Sequence, residues 1–198
     1  MDTPRYQVSD FLRRYSRSHI PQPESWLDDY VVKKLSLHVT TLVDFGCANG
    51  RNFVPFKGKG LKCIGFDIHP RSSLVKITDF LYHECSIQDF IENPRQFPIS
   101  WGESLAMSHG SLMYIPSADI QNNFLITLKK EGCKNFVFHE YTRSGLLSPN
   151  AKGDGLGYLH LTPENLNLFS PPKGKISQLR GGTAEPDKNI SAFISLAQ

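Results

Sequence analysis

The sequence predicts an α/β fold, a doubly wound sheet of seven strands that is mainly parallel and closes with a C-terminal antiparallel hairpin. Three observations carry it. Short apolar, β-branched stretches alternate with helix-patterned ones, as in βαβ units. The first of these stretches, "TLVDF" (Thr41–Phe45), runs directly into a glycine turn, "GCANG" (Gly46–Gly50). After the fifth strand the texture changes: a glycine-rich stretch and one short helix lead to two last strands joined by "TAEPDK". With 198 residues the chain suits a single domain, read here as a helical cap over 1–38 and a core over 39–198.

The elements follow in order. Val8 to Arg17 reads as a short helix. "PQPESWLDDYVVKKL" gives a clearer one, with Pro23 in its first turn, Glu24, Asp28 and Asp29 early and Lys33 and Lys34 late, as the helix dipole favours. Strand one is Thr41–Phe45 and strand two Leu61–Asp67. "IHPRSSLVKITDFL" is a turn with a short helix, and strand three spans Leu81–Ser86. Strand four is Ser104–His109. A helix follows with Ser117 as cap, Ile120, Phe124, Leu125 and Leu128 as its apolar stripe, Lys129 and Lys130 in its last turn and Gly132 as its stop. Strand five is Asn135–Glu140. "LTPENLNLF" is a short helix capped by Thr162 with Pro163 at its first position, and "KISQLRGG" and "NISAFISLAQ" form the closing pair.

Composition narrows the function. Apolar content of 39% and charged content of 21% are those of an ordinary globular domain, and a net charge of +3 gives no strong signal for a nucleic-acid partner. No apolar run is long enough to span a membrane, and the first residues hold no signal-peptide core, so a soluble, cytoplasmic protein is expected. Cys47, Cys63, Cys85 and Cys133 show no CxxC spacing and are expected to be reduced core residues.

A glycine turn between strand and helix lets backbone N–H groups approach an anionic or polar ligand. The dinucleotide fingerprint G-x-G-x-x-G/A, counted from Gly46, puts Ala48 second and Arg51 third, where a long side chain cannot sit between helix and strand. Another pattern fits. Asp44, Gly46 and Gly50 in "VDFGCANGRN" resemble motif I of class I S-adenosylmethionine (SAM)-dependent methyltransferases. "CIGFDIHP" resembles motif II, whose acid, here Asp67, stands seventeen residues past Gly50. "ECSIQDF" stands where that family recognises adenine, and "LAMSHGSLMYIP" resembles its strand-four segment. The resemblance runs from Thr41 to the C-terminus. It departs from the family at Ala48, commonly Gly, and at Ser86, often Asp.

The resemblance implies a Rossmann-like fold, SAM as cofactor and a set of contacts. Asp44, Gly46, Cys47, Ala48, Gly50 and Asn52 would come from the turn. Asp67 would accept from the ribose hydroxyls, since a carboxylate can take two hydrogen bonds from a vicinal diol, with Ile68 beside it. Ser86 and Ile87, supported by Asp89, would serve adenine, and Ser108 would come from strand four. Methyl transfer is an in-line displacement, so the protein aligns a nucleophile and, for a hydroxyl or protonated amine, removes its proton. The candidate bases are His109, at the end of strand four, and His139, on strand five, since neutral histidine is a suitable base near pH 7. Glu140, Tyr141, Tyr114 and His160 are weaker candidates. No metal is expected, because the strand-four region offers Ser108 and His109 where catechol-methylating members carry acids. Arg13, Arg14, Tyr15 and His19, with the loop "SGLLSPNAKGDGLGYLH", would cover the cleft. The expected acceptor is a small molecule. The alternatives are an RNA or protein acceptor, or a SAM-binding protein without turnover. "SHGSLM" replaces the Asn/Asp-Pro-Pro-aromatic motif of adenine N6-methylation.

Overall fold

The computed structural model describes residues 39–69, 79–109, 111–112, 115, 118–141, 176–181 and 189–195. The two N-terminal helices, the helix expected between strands two and three, and the one over "LTPENLNLF" lie outside these residues, as does the cap over 1–38.

The strands are β1 (Thr41–Phe45), β2 (Lys62–Asp67), β3 (Leu81–Glu84), β4 (Ser104–His109), β5 (Asn135–Tyr141), β6 (Ile176–Gly181) and β7 (Asn189–Ser195). They form one sheet in the order β3-β2-β1-β4-β5-β7-β6. The first five run parallel, and β7 is antiparallel to both β5 and β6. From β1 the chain moves outward to β2 and β3, then returns to place β4 on the other side of β1. The strand order therefore reverses between β1 and β4, and the crevice at their carboxyl ends is where open α/β sheets bind ligands.

The sequence explains these strands. β1 is buried at every position, as a central parallel strand covered on both faces must be. Val43 and Phe45 face one core with Ile64, Phe66, Phe90, Trp101, Phe124 and Phe136. Leu42 faces the other, with Phe53, Phe56, Phe80, Tyr82 and Met107.

The helices are α1 (Ile87–Glu92) and α2 (Ala118–Lys130). α1 is a correction. Strand three was expected to run to Ser86, but it ends at Glu84 because Ser86 is the N-cap of α1 in a full capping box with Asp89. α2 buries Phe124, Leu125 and Leu128. It ends in a Schellman motif: Cys133 N–H donates to Leu128 O at 2.9 Å and Gly132 N–H to Lys129 O at 3.0 Å, with Gly132 at φ +89°.

The glycine turn does not open a regular α-helix. It leads into a 3-10 helix, Arg51–Phe56, with Pro55 inside it. Proline has no N–H to extend a helical ladder, and Gly58 and Gly60 at positive φ turn the chain away to β2. Among the described residues no helix is long and apolar enough to cross a membrane.

Candidate functional site

The site is built on the turn after β1. Asp44 is fully buried and accepts a hydrogen bond from Asn52 Nδ2 at 3.0 Å, which ties the far side of the turn back to the strand. Gly46 and Gly50 have φ of +80° and +84°. Gly46 N–H and Cys47 N–H both donate to Phe66 O, at 2.7 and 3.1 Å, so the turn folds over β2. Cys47, expected at the cofactor, has its N–H engaged by β2, and its thiol packs where a side chain on Gly65 would lie. Ala48 takes a left-handed φ of +44°, a strained state for a residue with a Cβ. Its N–H donates to Asp67 Oδ2 at 2.8 Å, which helps to hold that conformation.

Asp67 thus joins the end of β2 to the glycine turn. It is 6% exposed. Its other oxygen accepts from His69 N–H at 3.1 Å and contacts His69 Nδ1, while the Tyr82 hydroxyl donates to His69 O. Burial, and then the Asp67 carboxylate, push the Tyr82 hydroxyl well above its ordinary pKa, so it stays a donor. With one oxygen bonded once, Asp67 keeps acceptor capacity. Ile68, next in the chain, is 61% exposed, an apolar surface beside a buried acid.

Ser86 and Asp89 are bound to each other. Ser86 Oγ donates to Asp89 Oδ2 at 2.6 Å and accepts from Asp89 N–H at 3.0 Å. The Ser86 hydroxyl, and then the Ser86 N–H at 3.0 Å, both donate to Asp89 Oδ2 and hold the carboxyl below its usual range. Ser86 therefore serves the cap of α1 first, leaving one acceptor lone pair for the adenine role expected of it. Ile87 is half-buried against the first core.

At the other side of the crevice, Ser108 is buried in register with Phe45. His109 closes β4, half-buried, with Nδ1 2.8 Å from Arg51 Nη2. Ser111 stands over Gly46 so closely that a Cβ there would lie 1.7 Å from Ser111 Oγ. Gln121, buried in α2, holds this segment by donating to Leu112 O at 3.0 Å and Ile115 O at 3.2 Å. His139 is the register partner of His109 across β4 and β5. Tyr114, His160, Arg13, Arg14, Tyr15 and His19 lie outside the described residues.

Among the described residues no group of three His, Cys, Asp or Glu side chains is placed to hold a metal ion. All four cysteines are free thiols, and burial pushes Cys63, Cys85 and Cys133 up to about 11, which keeps them protonated and unreactive. Arg51, His69 and Ser111 escaped the sequence reading. His69 had a local signal, an Asp two residues before it whose side chain bonds nearby N–H groups. Arg51 and Ser111 act across the crevice and leave no local pattern.

No family model and no curated protein matches the sequence. Solved structures do. The N-methyltransferase NodS from Bradyrhizobium japonicum WM9, in complex with S-adenosyl-L-homocysteine, is 15% identical with a TM-score of 0.59, over 96% of this chain and 98% of that one. Magnesium protoporphyrin IX methyltransferase from Synechocystis PCC 6803, with bound S-adenosylhomocysteine, is 12% identical with a TM-score of 0.58, over 87% of this chain and 80% of that one. The small RNA methyltransferase HEN1 is 15% identical with a TM-score of 0.58, over 86% of this chain and 25% of that one. The chain has the fold of class I methyltransferases.

Proposed function

We propose that this protein is a SAM-dependent methyltransferase acting on a small-molecule acceptor, with residues 39–198 as the cofactor core and 1–38 as a cap over the acceptor site in a soluble, cytoplasmic chain. One observation carries the cofactor: the acid ending β2, Asp67, is hydrogen-bonded to the glycine turn at Ala48 N–H, at the point where the strand order reverses. The residues present fit a nucleoside. Asp67 has acceptor capacity for ribose hydroxyls, and the exposed Ile68 offers an apolar face to a base. Gly46, Ala48, Gly50 and Ser108 border the same crevice, with Asp44 and Asn52 bracing the turn from within. Ile87 and Ser86 stand at the adenine end.

When bound, SAM supplies an electrophilic methyl group on a sulfonium. The chain's own part is to orient the acceptor, exclude water and handle its proton. His109 and His139, side by side in register on β4 and β5, stand at that position. A small-molecule acceptor is supported by the modest net charge of +3.

The test is calorimetric titration of the purified chain with SAM and S-adenosylhomocysteine, with NADH and ATP as controls. Micromolar binding of the adenosyl pair alone is expected. No binding of that pair, or a preference for NADH, overturns the reading. Salt-dependent RNA binding by the same sample would favour an RNA acceptor instead.

A further inference from the structure

Asp67 ends β2, and among the described residues three hydrogen bonds reach its carboxylate. They divide unevenly. Oδ2 accepts from Ala48 N–H of the glycine turn at 2.8 Å. Oδ1 accepts twice from a single residue, His69: from its backbone N–H at 3.1 Å and from ring Nδ1. His69 is itself 6% exposed, and the Tyr82 hydroxyl donates to its carbonyl, so β3 holds the same residue. Two positions beyond Tyr82, Glu84 pairs in register with Asp67.

We propose that His69 is a positioning residue that occupies Oδ1 of Asp67 and leaves the ribose of the cofactor only Oδ2, so that the chain grips one ribose hydroxyl through this acid and not both. A carboxylate offers about four lone-pair sites, two to an oxygen. His69 fills both on Oδ1. Nδ1 carries a hydrogen there, since a ring lone pair set against a carboxylate oxygen would be repelled. Ala48 fills one site on Oδ2, the oxygen beside the glycine turn. One site is left on that oxygen. A vicinal diol brings two hydroxyls, and here the second meets an oxygen whose lone pairs are already used. The same bonds fix the plane of the carboxylate, because it cannot rotate without losing those to His69 and the one to Ala48. That Asp67 meets a ribose rests on the methyltransferase reading. How many hydroxyls it can take rests on these bonds.

The test is calorimetric titration of the full-length chain with S-adenosylhomocysteine and with its two monodeoxy analogues, each lacking one ribose hydroxyl. Wild type should bind one analogue roughly 10- to 150-fold more weakly, the range for a hydrogen bond to a charged group, and the other like the parent compound. His69→Phe keeps the backbone N–H and removes Nδ1, which frees a site on Oδ1, so both analogues should then lose affinity. His69→Asn can return a side-chain N–H donor and should restore the one-sided pattern. Loosened packing alone would weaken all three ligands together and leave their ratios unchanged. Equal affinities for the two analogues in wild type overturn the proposal without any variant, while the methyltransferase reading stands on binding of the parent compound. A His69→Phe chain that binds the parent compound and keeps the one-sided pattern overturns it as well. No binding of the parent compound to wild type sinks the methyltransferase reading, and the proposal with it.

Discussion

At Gly46 two constraints coincide on one residue. Its φ of +80° is a conformation that strains any residue with a Cβ, and the space a Cβ would need is taken by Ser111. Gly46→Ala should destabilise the fold by about 1–3 kcal/mol from backbone strain, plus a further share from overlap. Adding Ser111→Gly should recover the overlap and leave the strain. Denaturant unfolding of the single and double variants separates the two, and a Gly46→Ala chain as stable as wild type would mean the turn is not left-handed there. Asp67 carries a different load, since it satisfies Ala48 and His69 while keeping room for a ligand. Asp67→Asn replaces one acceptor oxygen with an N–H donor. S-adenosylhomocysteine affinity should fall by about 1.5–3 kcal/mol, roughly 10- to 150-fold. A folded variant with unchanged affinity would remove Asp67 as the ribose contact.

At the scale of elements, β1 and β4 were legible residue for residue, because a parallel strand buried on both faces leaves a short, mainly apolar stretch. The stop of α2 was legible from Gly132 after two lysines. α1 was not read, although Ser86 and Asp89 stand at capping-box spacing, because the strand pattern before Ser86 masked it. The glycine turn could be read locally, since its demands fall on consecutive residues. Its crowding by Phe80 and Ser111, and the link from Arg51 to His109, join residues distant in sequence and could not. β3 yields a prediction of its own. The His83 ring stacks on Phe66 at 5.1 Å and meets the edge of Phe97 at 4.8 Å, with Nε2 buried and unpartnered. Burial, and then Lys62, lower its pKa below 6.5. The unfolded chain therefore takes up a proton at this site near pH 6.5 while the fold resists it. The stability gained from the neutral ring is whole above that pH and drains away as pH falls below it. His83→Phe should flatten this part of the profile. Unfolding free energies at neutral and mildly acidic pH check it, and equal losses in variant and wild type would rule His83 out.

For the whole molecule, the site and the core are one construction, joined at Phe45. Its ring stacks on Phe66 at 5.0 Å and lies parallel to Trp101 at 6.4 Å; Phe90 and Phe124 meet it edge-on at 5.0 and 4.7 Å. β2, α1, α2 and the segment leading into β4 thus all pack on the residue just before the glycine turn. A class I methyltransferase scaffold accepts many substrates, so it does not name the acceptor, but it does require this turn to be held rigidly. Phe45→Ala should cost about 3–5 kcal/mol, the usual range for emptying a buried phenylalanine site. Against a stability of about 5–15 kcal/mol for an ordinary domain, that leaves the variant marginal yet able to fold at low temperature. Its denaturant midpoint should drop with the slope unchanged. Below that midpoint its S-adenosylhomocysteine affinity should weaken too, because the strand end that presents Gly46 is no longer wedged. A lowered midpoint with full affinity would show that Asp67 and the left-handed turn hold the site without help from the core. An unchanged midpoint would mean that the aromatic cluster around Phe45 is not what holds the sheet together.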